Sequence, residues 1–100
     1  MIPPGNGTER YRVEFSAHIS ERIKQLHRIG EGRGQGEAFR LAFRSLLERL
    51  QTAPLSCGEP VYSLHQLGLT MRKTVRPPVV LHFTAHPLRR VVWLSAVGLL

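Results

Sequence analysis

Residues Leu69–Val97 read LTMRKTVRPPVVLHFTAHPLRRVVWLSAV, and the alternation within them decides the fold. From Leu69 to Val75, the side chains of Leu69, Met71 and Val75 fall on one face and those of Thr70, Arg72 and Thr74 on the other. That is the period of a β-strand with one buried face. Lys73 falls on the apolar side, which calls for a side chain that snorkels at an edge or for a bulge that shifts the register. Pro77-Pro78 interrupts the ladder, because neither residue donates a backbone hydrogen bond. A second strand is predicted over Val79–Ala85, with Val79, Leu81 and Phe83 opposed to Val80, His82 and Thr84. His86-Pro87-Leu88-Arg89 reads as a hairpin turn. The strand Arg90–Val97 then carries apolar residues on both faces, which predicts a central place in the sheet.

The preceding residues supply a cover for this sheet. Tyr11, Val13 and Phe15 alternate with Arg12 and Glu14, as in a short half-buried strand. Ser16 is a good N-cap for a helix whose stripe is Ile19, Ile23, Leu26 and Ile29. The stretch Gly30–Gly36 (GEGRGQG) predicts a helix-to-helix turn; it follows a helix and lacks the ending of a phosphate-binding loop. Glu37–Gln51 is the strongest helix, with Phe39, Ala42, Phe43, Leu46, Leu47 and Leu50 on one broad face, and Pro54 stops it. A loop over Leu55–Pro60, a short strand over Val61–Leu64 and a turn at Gln66–Gly68 complete the chain. The predicted order is β-α-α-β-β-β. The fold class is α+β: a small antiparallel sheet of about four strands with an α-hairpin packed on one face.

Composition narrows the classes. The chain has 100 residues, 42% of them hydrophobic, which suits one small domain over residues 11–100 behind a Pro- and Gly-rich flexible leader over residues 1–10. No apolar run approaches the roughly 18–20 residues that span a bilayer, and the first residues lack a signal-peptide pattern. A soluble cytoplasmic protein without a membrane partner is expected. The single cysteine, Cys57, excludes an intrachain disulfide and has no evident base beside it.

The net charge is +7, from 14 Lys/Arg against 7 Asp/Glu, and the charge is segregated. All the acids are glutamates and none lies beyond Glu59, whereas Arg72, Lys73, Arg76, Arg89 and Arg90 follow it with His65, His82 and His86. Such a half prefers polyanions or an acidic protein partner. Metal-independent cleavage of RNA needs a base for the 2′-hydroxyl, cations for the charged phosphorane and an acid for the leaving oxygen. Arg72, Lys73 and Arg76 are the candidate cations, and His82 is the candidate acid–base group. The expectation places Arg72 on the face of His82. The histidines are too dispersed to predict a metal site, and no cofactor motif is present. Tyr11, Phe15, Phe39, Phe43, Phe83 and Trp93 are assigned to the core, which favours phosphate contacts over base stacking.

Three phrases, YRVEFS, RSLLERLQTAPLSCGEPVYSL and PPVVLHFTAHPLRRVVWLSAVG, stand in an order that resembles the toxins of the RelE/ParE superfamily of bacterial toxin–antitoxin systems. The resemblance runs from Tyr11 to Gly98 and rests on pattern and order. It implies a toxin neutralised by an acidic antitoxin segment. One branch of that superfamily cuts mRNA in the ribosome through basic side chains on the exposed sheet face, with a tyrosine or another acid–base group beyond the last strand. The other branch acts on DNA gyrase and lacks that set. Where the nucleases carry paired lysines this chain has Arg72 and Lys73, with Arg76 close by. The arginine of the next strand falls near Val80, and His82 lies two residues along. No basic segment or tyrosine follows the last strand before Leu100. The resemblance thus leaves a metal-independent endoribonuclease and a non-catalytic binder of gyrase or antitoxin as alternatives, beside a basic RNA-binding domain of other descent.

Overall fold

The computed structural model describes residues 10–100, His65 by its backbone alone, so the expected leader lies outside the described residues except for Arg10. Its elements are β1 (Arg12–Glu14), α1 (Ala17–Gly32), α2 (Gly36–Thr52), β2 (Glu59–Leu64), β3 (Leu69–Arg76), β4 (Val79–His86) and β5 (Val91–Leu99). Two helices and a mixed sheet make an α+β fold. The sheet has five strands in the order β1-β5-β4-β3-β2. Neither the expected strand number nor the expected all-antiparallel pairing holds. β1 joins as a fifth strand and runs parallel to β5, pairing Arg12 with Val91 and Glu14 with Trp93. Parallel neighbours need a long crossover, and here everything between β1 and β5 is that crossover.

Both helices begin and end for local reasons. The Ser16 hydroxyl accepts a hydrogen bond from the Ile19 amide at 3.2 Å, the N-cap expected from the sequence. α1 runs into the glycine stretch as far as Gly32, and the buried Gly30, rather than the exposed Ile29, continues the stripe of Ile19 and Leu26. A Cβ at position 30 would stand in ordinary contact with the Gln35 carbonyl and Phe39, where α1 meets the start of α2. In α2, Phe39, Ala42, Leu46 and Leu50 are buried. Glu37 in its first turn pairs with Arg40 and favours the helix dipole. No helix among the described residues is long and apolar enough to cross a membrane.

The core lies between this helix pair and one face of β4 and β5. Val79, Leu81, Phe83 and Ala85 of β4 meet Val92, Leu94 and Val97 of β5, all buried, with Leu50 of α2 completely enclosed. Each such side chain contributes about 1.5–3 kcal/mol through removal from water. β5, expected at the centre from its two-sided apolarity, is an interior strand between β1 and β4, and β4 holds the central place. The alternation of β5 is broken once: His82 pairs with Ala96 and Phe83 with Leu94, so Ser95 is an extra residue. The bulge sends Leu94 into the core and leaves Trp93 on the opposite face. The Pro77–Pro78 pair makes the turn from β3 to β4, and the turn from β4 to β5 extends through Arg90, which has a φ of 55°. The strand predicted to start at Arg90 starts at Val91 instead.

The helix side of β3 is covered by the chain between α2 and β2. There Gly58 adopts a φ of +72°, and an added Cβ would stand 2.2 Å from the Lys73 carbonyl oxygen. Gly34, with a φ of +75°, has open space around it. Gly34→Ala therefore carries only the strain of a left-handed residue, about 1–2 kcal/mol. Gly58→Ala adds a backbone collision and is expected to cost clearly more. Urea midpoints of the two variants, compared at unchanged m, measure the difference.

Candidate nucleic-acid interface

The helices leave one face of the sheet uncovered, and strand register decides what stands on it. β3 and β4 pair without a break, Met71 with Thr84, Lys73 with His82 and Val75 with Val80. Their partners on β5 are Trp93, Ala96 and Gly98. All of these lie opposite the Phe83 face. Lys73 thus stands directly beside His82 on the open face, and the Cβ atoms of such a pair are about 4.5–5.5 Å apart. On the other side of Lys73 its partner is Glu59 of β2. Glu59, Lys73 and His82 form one row of carboxylate, ammonium and imidazole across three strands. Ala96 and Gly98 add little bulk next to it.

Arg72 is not part of this row. It pairs with Phe83 and lies on the helix side. Its Nε donates to the Cys57 carbonyl at 3.0 Å, and one terminal nitrogen donates to the Gly58 carbonyl at 3.1 Å. The expectation that Arg72 shares a face with His82 is corrected: the cation that does so is Lys73. Sequence counting assigns the inner face of β3 to its apolar residues, but Leu69, Met71 and Val75 point outward with Lys73. The inner face carries Thr74 and Arg72, because part of what covers it is a loop with carbonyls to satisfy. Thr74 is buried and lies 3.5 Å from the Cys57 sulfur, the two side chains sharing a weak hydrogen bond. No bulge is needed within β3. The irregularity sits in β2, where the pairing skips Val61.

The remaining sequence candidates are spread along the sheet. Arg76 pairs with Val79 at the Pro77–Pro78 end and alternates onto the helix side. Arg89 lies in the turn at the opposite end, its guanidinium 6.0 Å from the centre of the Trp93 ring. Arg90 serves this turn with its backbone: its amide donates to the His86 carbonyl and its carbonyl accepts from the Arg12 amide, each at 2.9 Å. The five cations named from the sequence do not form one patch. Lys73 and Arg89 are the two on the open face.

Trp93, Tyr62 and Glu59 were not assigned to the site by sequence. Trp93, expected in the core, is turned outward by the Ser95 bulge and is only half-buried. Tyr62 is half-exposed beside Met71. Phe15, also expected in the core, is half-exposed. A row Tyr62–Met71–Thr84–Trp93–Glu14 therefore runs parallel to the row of Lys73 and His82. The Ser95 hydroxyl donates to the His82 carbonyl at 3.2 Å and so braces the bulge beneath both rows. The third is Glu59, the last acid in the sequence, which is brought to Lys73. The basic half is therefore not free of acids in space. Glu14 also reaches this face, held by Arg12 at 2.6 Å.

Chemically, the row offers one flexible cation between two groups able to carry protons. The Lys73 ammonium can meet a phosphate as a point charge, and the His82 imidazole can accept or donate a proton. Arg72 instead fixes the strand that presents Lys73. Arg72→Ala is expected to lower stability by about 1–3 kcal/mol, the loss of two hydrogen bonds from a charged donor. Lys73→Ala, on an exposed position, should stay within about 0.5 kcal/mol of the parent. Denaturant unfolding of both variants tests this division, and equal effects would remove it.

No family model matches the chain, and no curated protein sequence matches it.

Proposed function

We propose that the chain is a RelE/ParE-like toxin component that engages ribosome-bound mRNA through its open sheet face in the bacterial cytoplasm. The observation that carries this reading is the cross-strand pair of Lys73 and His82 on the uncovered face. A 2′-hydroxyl placed at His82 loses its proton to the imidazole and attacks the adjacent phosphorus, and Lys73 stabilises the negative charge that develops on the phosphate. The P–O5′ bond breaks with the 5′-oxygen protonated from solvent, leaving a 2′,3′-cyclic phosphate. Glu59, next to Lys73, is a second proton carrier within the row. An acidic antitoxin segment competes for the same cations and accounts for neutralisation.

One observation favours a second reading. Arg72 spends its guanidinium on the Cys57 and Gly58 carbonyls, so one of the cations assigned to catalysis is withdrawn from the face. A toxin that binds without cleaving, directed at DNA gyrase or held by its antitoxin alone, needs no such cation.

Induced expression in a bacterial host, with growth and mRNA integrity followed together, separates these readings. The nuclease reading expects growth arrest with codon-positioned cuts, and loss of both in Lys73→Ala and in His82→Ala at unchanged protein level. General acid–base contributions of this kind are typically about 10²–10⁴-fold in rate. Arrest with intact mRNA and inhibited supercoiling moves the assignment to gyrase. Growth without arrest removes the active-toxin reading.

A further inference from the structure

At the end of the open face away from the Pro77–Pro78 turn, β2, β3, β4 and β5 enclose a groove of about 480 Å³. This lies within the roughly 300–1,000 Å³ of small-molecule sites. Leu64 and Leu69 form one wall, Trp93 stands against the other, and Thr84 lies between them. Leu67 extends the leucine wall and is itself 68% exposed. The mouth is basic. The Arg89 guanidinium lies 6.0 Å from the centre of the Trp93 ring, and the His86 ring meets Trp93 edge-on at 6.3 Å. His86 is oriented by its neighbour: the Arg89 amide donates to its Nδ1 at 3.2 Å, which leaves Nε2 of the neutral ring to carry the proton. Among the described residues no acid lines the groove, the nearest on this face being Glu14, which pairs with Trp93 from β1 and is held by Arg12.

We infer that this groove is a nucleotide subsite, taking the base of single-stranded RNA against Trp93 and its phosphate at Arg89 and His86. The inference rests on the RNA-facing reading proposed above. Three features point to a nucleotide. The slot is apolar and bounded by an aromatic ring, which suits a flat base of any sequence. A cation, Arg89, and an N–H donor, His86, stand at its mouth, which suits an occupant with negative charge next to its apolar part, as a nucleotide has within a single unit. The groove also lies on the same sheet face as the Lys73–His82 row: His86 and His82 share a face of β4 four residues apart, about 13 Å at the rise of a strand. A strand anchored by one base in the groove therefore runs its backbone toward Lys73.

Trp93 is the only tryptophan in the chain, so its fluorescence reports on the groove directly. The full chain is titrated with adenosine 5′-monophosphate, with inorganic phosphate and with a short single-stranded RNA carrying a dye for anisotropy. Saturable quenching by the mononucleotide and by the RNA, with none from phosphate, is the expected result. Arg89→Ala, in an exposed turn, should weaken the mononucleotide several-fold. Trp93→Leu should weaken the RNA by roughly 5- to 150-fold in anisotropy, the range of one stacked base. RNA binding with unaltered Trp93 emission overturns the subsite and leaves the RNA-facing reading intact. Equal quenching by phosphate reduces the groove to an anion site and overturns it as well. No quenching by either nucleotide ligand, in a protein whose expression still arrests growth with cut mRNA, overturns the subsite alone.

Discussion

The hydrogen bonds from the Arg72 guanidinium to the Cys57 and Gly58 carbonyls hold the helical layer and the sheet in register. The chain leaves α2, crosses the edge of β3 and enters β2, and in doing so it brings backbone carbonyls close to the strand. A partly buried carbonyl without a donor costs about 1–3 kcal/mol, and a planar guanidinium can serve two of them together. Gly58 completes the contact, since the space a side chain would fill is taken by the Lys73 carbonyl. Thr74 with Cys57 adds a small buried polar contact alongside. The position of β2, and with it of Glu59 and Tyr62, follows from this crossing.

That crossing also explains the faces of β3. The core of most half-buried sheets is apolar, and alternation then separates core from solvent. On β3 the inner face meets the chain that follows α2 as well as α2 itself. Its residues are therefore polar and hydrogen-bonded, while Leu69, Met71 and Val75 are displaced to the open side with Lys73. The same displacement gives the open face an apolar floor. Cations on such a floor are less hydrated than on a polar surface, and charge interactions there are stronger than in bulk water. The open face thus combines few charges with considerable apolar area, unlike the broadly basic surface that a net charge of +7 suggests.

Irregularities in pairing determine the rest. The Ser95 bulge lets Trp93 and Leu94 face opposite ways while β5 keeps Val97 and Val92 in the core. Bulges bend a strand and redirect one side chain; here the redirected side chain is the largest aromatic in the chain. The skip at Val61 keeps Tyr62 opposite Met71 after Glu59 has met Lys73. The parallel edge strand β1 brings Glu14 to the far end of the Trp93 row.

Much of this architecture is local in origin and so was legible in the residues alone. The Ser16 cap, the helical stripes, the stop at Pro54, the turn after His86 and the alternation of β4 each depend on neighbours a few positions away. They establish the α+β class and the pairing of β3, β4 and β5 as consecutive strands. The place of β1 beside β5, its parallel direction, the face of β3 and the outward turn of Trp93 were decided by tertiary structure. Each depends on a contact between distant segments: β1 with β5, Cys57 and Gly58 with Arg72, and Phe83 with Leu94 across the bulge. Side-chain parity in a strand is a local rule, but which parity faces the core is set by whatever packs against it. For that reason Lys73 and His82 could be nominated from sequence, and only the register of β3 against β4 made them neighbours and sent Arg72 to the other side.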